Sequence, residues 1–183
     1  RLGMGSDLEP YMRGVTHLVC DDMGREVADF IALDEAANRV IYIHAKASDG
    51  GGLSASSLAE VCGQAAKNLD FLQPYPSDKP GNLRHWDGPW TRERGVDSVP
   101  NRIRRGGLNG QQFWEKTTEI LRNPNASREV WIVLGNGLSK SLFDAEKQKP
   151  TPVPQFIQVY YQLAATWSSV TTVGAKLSVF CRQ

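Results

Sequence analysis

Two strand-like runs joined by a short bend constrain this chain more than anything else in it. Glu26-Val27-Ala28-Asp29-Phe30-Ile31-Ala32-Leu33-Asp34 and Arg39-Val40-Ile41-Tyr42-Ile43-His44-Ala45-Lys46 are rich in β-branched and aromatic residues. They are joined by little more than Glu35-Ala36-Ala37-Asn38, so they are expected to pair as antiparallel neighbours. Side chains alternate along a strand. Val27, Asp29, Ile31 and Leu33 therefore share one face of the first run, and Val40, Tyr42, His44 and Lys46 share one face of the second. Asp29 is then a carboxylate in an apolar row. Such a group needs a partner or a proton, and a divalent cation is one good partner.

The remaining elements follow from the same patterning. His17-Leu18-Val19-Cys20 reads as a strand ending in the turn residues Asp21-Asp22-Met23-Gly24. Residues 7–14 suggest a short helix or turn. After a Gly-rich stretch at 48–52, Ser57 and Glu60 have capping-box spacing, and a helix is expected to about Leu72. Residues 111–122 and 139–148 look helical. Arg128 to Leu134 reads as a buried strand, with Gly135-Asn136-Gly137 turning into the next helix. Pro150, Pro152 and Pro154 stiffen a linker before a helix from Phe156 to about Thr172, and Leu177 to Cys181 closes as a strand. Trp114, Trp131 and Trp167 fall on apolar faces and read as core. A β-meander followed by α-β-α-β implies an α/β fold with a mixed sheet.

With 183 residues and 40% hydrophobic content, the chain suits one domain, 1–183. The start at Arg1 is read as an excision from a larger protein. Cys20, Cys62 and Cys181 are odd in number and widely spaced, which argues for reduced thiols in an intracellular, cytoplasmic setting. No stretch is long enough to span a bilayer, so no membrane partner is expected. Lys and Arg total 21 against 20 acids, so any nucleic-acid surface must be local. One candidate is the irregular insert at about 74–110. Between residues 84 and 105 it holds Arg84, Arg92, Arg94, Arg102, Arg104 and Arg105 against three acids, interleaved with His85, Trp86 and Trp90. Guanidinium forks bind phosphate and indoles stack on bases, whereas the plainer reading is a solvated loop whose tryptophans anchor it to the core.

Asp29, followed on the next strand by His44-Ala45-Lys46, resembles the PD-(D/E)XK nuclease superfamily, whose pattern is an Asp on one strand and an acid-x-Lys on the next. Gln64, on the helix after the Lys strand, matches a Gln that several members carry there. The resemblance covers about residues 17–72 by motif and the rest by element order. It implies a restriction-endonuclease-like mixed sheet flanked by helices. It also implies a Mg²⁺- or Mn²⁺-dependent hydrolysis of nucleic-acid phosphodiesters, DNA favoured over RNA. Asp29 would hold the metal with the Ala45 backbone carbonyl. Lys46 would assist the attacking water, and His44 and Gln64 would complete the catalytic set.

The chain departs from the pattern at His44, which stands where an acid is expected. A histidine there suits Mn²⁺ better than Mg²⁺, or could bind phosphate or act as a base near neutral pH. The missing acid could come from Glu26, Asp22, Glu9 or Glu60. Lys67 and the arginines Arg92, Arg94, Arg102, Arg104 and Arg105 would grip the backbone. The alternative is a non-catalytic nucleic-acid-binding or assembly domain of the same fold, attached to a helicase or restriction-type machine. Each residue also has a plainer role: Asp29 as a hydrogen-bond acceptor, Lys46 as a solvated strand-end lysine, and Gln64 as a solvated helix position.

Overall fold

The computed structural model describes residues 8–48, 52–91 and 98–182. Its elements run β1 (His17–Cys20), β2 (Phe30–Asp34), β3 (Arg39–Ala45), α1 (Ala55–Lys67), β4 (Trp90–Thr91), β5 (Ser98–Val99), β6 (Ile103–Arg105), α2 (Gly110–Arg122), β7 (Ser127–Ser139), α3 (Lys140–Lys147), α4 (Pro154–Thr172) and β8 (Lys176–Arg182). Six strands form one mixed sheet in the order β6-β1-β2-β3-β7-β8. The meander β1-β2-β3 is antiparallel. β7 lies parallel to β3 and β8 parallel to β7, so each of these pairs needs a crossover, which the helices supply.

Alternation sorts the sheet onto two faces. On one, Val19, Ile31, Leu33, Val40, Tyr42 and Val130 pack with Phe113, Trp114, Ile120 and Leu121 of α2, Ala65 of α1 and Val170 of α4. Ile132 and Leu134 continue that face against Leu58, Val61 and Cys62 of α1 and Val159 of α4. The opposite face, with Leu18, Ala32, Ile41, Ile43 and Trp131, packs under Leu8, Met12 and Val15 of the segment before β1. Each fully buried side chain of this size contributes about 1.5–3 kcal/mol. Among the described residues, no helix is long and apolar enough to cross a membrane.

Several boundaries differ from the sequence reading for identifiable reasons. β2 starts at Phe30, not near Arg25. The Asp21 N–H still donates to the Asp29 carbonyl at 3.0 Å, in register with the β1–β2 ladder, but the Asp21 carboxylate takes the Val27 N–H at 2.7 Å, so the residues before Asp29 bond to a side chain instead of a strand. α1 is capped by Ser54, whose hydroxyl accepts from the Ser57 N–H. The box expected from Ser57 and Glu60 does not form, because the helix has already begun and Glu60 turns to Lys46 instead. α1 ends at Lys67, and Leu69–Leu72 continues as a 3₁₀ turn. β7 runs straight through Gly135-Asn136-Gly137, absorbing a register break with Gly135 at a φ of +49°. Trp167 is 60% exposed on the outer side of α4 and is not core, unlike the buried Trp114 and Trp131.

The insert is more structured than its composition suggests. It supplies the two-stranded pair β4–β5 and the sheet-edge strand β6, which pairs with β1. Trp86 is fully buried and stacks edge-on against Phe113, with its indole N–H on the Asp21 carboxylate at 2.7 Å. It is an anchor, not a base-stacking platform. Trp90 donates its N–H to Asp22 at 3.1 Å. Cys20, Cys62 and Cys181 are free thiols.

Candidate active site at the ends of β2 and β3

Asp29 sits one residue before β2. The β2–β3 register sets Phe30 against Ile43, so one step further Asp29 stands opposite His44. Its Oδ2 accepts the Ala45 N–H at 2.6 Å. The Lys46 N–H donates to Val133 of β7 at 2.9 Å. Across a trans peptide the carbonyl points opposite the next N–H, so the Ala45 carbonyl turns back toward the β2 side, where Asp29 lies. A carboxylate and a backbone carbonyl thus lie at one strand end.

Asp29 is half-buried, and burial pushes its carboxyl up to about 6. The Ala45 bond works against this rise, while the charges of Asp22 and Glu26 add to it. Of the described acids considered as a second metal donor, Asp22 and Glu26 are the ones whose charge reaches Asp29. Glu60 is engaged elsewhere, with its Oε1 2.6 Å from Lys46 Nζ. That pair is largely exposed and contributes little to stability. Its effect is to hold the ammonium in one place.

His44 is 2% exposed, and burial, reinforced by the Lys67 charge, pushes it down to about 4. It is neutral at physiological pH. This corrects the expectation of a phosphate-binding cation or a base working near neutrality. Gln64 is half-buried and Lys67 exposed on α1. Asn68, at the end of that helix, donates to the carbonyls of Glu26 and Val27 at 3.1 and 2.7 Å, tying α1 to the approach to Asp29.

The basic grip is smaller than expected. Arg102 is 2% exposed, and its guanidinium donates to the carbonyls of Pro89, Cys20 and Asp22 at 3.3, 3.2 and 3.1 Å. It braces the turn after β1 and is not free to hold a phosphate backbone. Arg105 is half-buried in β6 and donates to the Val15 carbonyl at 3.0 Å. Arg104 is exposed. Arg92 and Arg94 lie outside the described residues.

A divalent ion fits this donor set in a particular way. Among the described residues no three His, Cys, Asp or Glu side chains converge, so a closed protein cage is not formed. Mg²⁺ commonly keeps several waters and takes one or two carboxylates, with the substrate completing its shell. Asp29, destabilised as an anion by burial and by two nearby acids, suits such a water-rich ion. The neutral His44 is a donor for Mn²⁺ more than for Mg²⁺. Comparison with protein-family models, with curated proteins and with solved structures found no match to this chain.

Proposed function

We propose that this domain is a metal-dependent nuclease of the restriction-endonuclease-like type, hydrolysing phosphodiester bonds of nucleic acid, with DNA favoured. The Asp29–Ala45 contact carries the reading: it brings an under-neutralised carboxylate to the strand end from which Lys46 projects. Asp29 and the Ala45 carbonyl would hold Mg²⁺ or Mn²⁺, with Glu26 or Asp22 adding negative field. When bound, the ion polarises the phosphate and lowers the pKa of water. Lys46, oriented by Glu60, donates to a phosphate oxygen or to the attacking water. Gln64 on α1 and the buried, neutral His44 would complete the set on this reading.

The test is cleavage of labelled single- and double-stranded DNA and RNA with Mg²⁺, Mn²⁺ or EDTA, beside Asp29→Ala and Lys46→Ala. Metal-dependent cleavage lost in both variants is the expected result. Full cleavage by either variant would sink the site assignment. One observation favours the second reading, a non-catalytic nucleic-acid-binding domain. Lys46 is already paired with Glu60, 2.6 Å away. That reading predicts nucleic-acid binding unchanged by EDTA, with no cleavage under any metal.

A further inference from the structure

The sheet face opposite α1 carries a cleft that the nuclease reading does not use. It has a volume of about 650 Å³ and opens between the segment before β1 and strands β3, β7 and β8. This lies within the range of small-molecule sites, about 300–1,000 Å³. Its wall is aromatic. Tyr11 stands edge-on to Phe180 and Trp131, with ring centroids 5.0 and 6.4 Å apart. Trp131 is buried as the floor, whereas Tyr11 is 56% exposed, leaving ring surface to receive a ligand.

Its polar wall is cationic. Among the described residues Arg13, Arg39 and Lys140 line it with one acid, Glu129, while Lys140 is itself paired with Asp144 just outside. Glu129 is already occupied, accepting the Trp131 indole N–H at 2.8 Å and the Ser127 hydroxyl at 3.3 Å. Arg39 is under-bonded. Among the described residues its Nε is buried without a hydrogen-bond partner, and its bond to the Tyr11 carbonyl is long at 3.4 Å. The nearest carboxylates, Asp34 and Glu129, stand at 3.8 Å, beyond hydrogen-bond length. A guanidinium left this way in a cleft beside an exposed aromatic ring has the makings of an anion site.

We propose that this cleft binds a nucleoside phosphate, its base against Tyr11 and its phosphate between Arg13 and Arg39. Neither half of that ligand alone uses both walls: a bare phosphate leaves the aromatic surface idle, and an uncharged nucleoside leaves the Arg39 Nε without a hydrogen-bond acceptor. The site is separate from Asp29 and does not rest on the nuclease reading.

The experiment is calorimetric titration with adenosine monophosphate, adenosine and inorganic phosphate in EDTA, which removes divalent ions from the other face. Tyr11→Ala and Arg13→Ala are the principal variants: both residues are exposed, Arg13→Ala should leave the melting temperature unchanged, and Tyr11→Ala should lower it only slightly, through the lost contacts with Phe180 and Trp131. The expected result is saturable binding of the monophosphate, tighter than either fragment. Each variant should weaken it about tenfold, and Lys46→Ala should leave it intact. Absence of saturation would overturn the proposal. So would equal affinity for inorganic phosphate alone, or binding lost in Lys46→Ala but retained in the Tyr11 and Arg13 variants.

Discussion

Asp29→Asn should make the domain more stable at neutral pH while removing any metal-dependent activity. Asparagine keeps the shape and can still accept the Ala45 N–H, but it carries no charge. The native carboxyl is raised from 3.8 to about 6, so the folded state holds its proton more tightly than the unfolded chain. Stability therefore falls as pH climbs from about 4 to about 6 and levels off above. The displacement of the pKa corresponds to about 3 kcal/mol for the ionised form, and solvent reaching the half-buried carboxylate reduces this to about 2 kcal/mol. For a domain of this length the variant should melt about 4–8 °C higher at pH 8. Near pH 4, where the native carboxyl is already protonated, the two proteins should coincide. Calorimetric or circular-dichroism melts of both proteins at pH 4 and pH 8, in EDTA, make the comparison. A variant less stable than the parent at pH 8, or shifted equally at both pH values, would refute the reasoning. Asp29 would then be a structural acceptor that favours its charge.

Arg102→Ala should cost about 3–5 kcal/mol in urea unfolding, because buried carbonyls of Cys20, Asp22 and Pro89 lose their charged donor. Arg104→Ala should leave the midpoint unchanged and weaken nucleic-acid binding, with a smaller salt slope. Reversal of that pattern would show Arg102 to be the ligand contact. Trp86→Phe removes the indole donor from buried Asp21, whose carboxyl burial already raises to about 6. The bond favours the ionised form, so the loss, about 1–3 kcal/mol, should be larger at pH 8 than at pH 5. If cleavage needs ionised Asp29, its log rate should rise with a slope of about 1 below pH 6 and flatten above. His44, pushed down to about 4, should add no inflection between pH 6 and 8. A rate that titrates near 7 would instead assign the ionisation to another group.

What the sequence made legible was what alternation and helical spacing control. The meander, the antiparallel β2–β3 pair and the three longer helices follow from apolar periodicity, because one buried face enforces one register. The placement of Asp29 beside Ala45 follows in turn, since it needs only the hairpin register. The contributions of Asp21 and Arg102 were not legible. Asp21 looks like a turn residue and Arg102 like part of a basic run, yet both are buried, and each finds its partners through long-range contacts that local pattern does not encode. The same applies to β6, a short edge strand defined by pairing with β1 and not by its own composition. Trp167 failed the opposite way: α4 is uncharged along its length, so its periodicity does not say which of its apolar sides faces the sheet.

The insert's arginines and the polar edge of α1 exchange the roles their sequences suggest. Leu58, Val61, Cys62 and Ala65 bury one side of α1 against the sheet, and this fixes the helix rotation. Glu60 and Asn68 flank that side two turns apart. One holds Lys46 at the end of β3, and the other holds the carbonyls of Glu26 and Val27 before β2. Gln64 lies one turn from each, on the edge that spans from Lys46 to the approach to Asp29. The helix therefore fastens both strand ends with contacts that a small rotation would break together. Arg102 and Trp86, by contrast, turn inward and rigidify the turn after β1, which carries Asp21 and Asp22. The insert thus acts on the site from behind, by holding the backbone next to Asp29. Among the described residues considered for gripping phosphate, Lys67, Arg84 and Arg104 are exposed cations, so loss of affinity on charge reversal should concentrate there and not at Arg102.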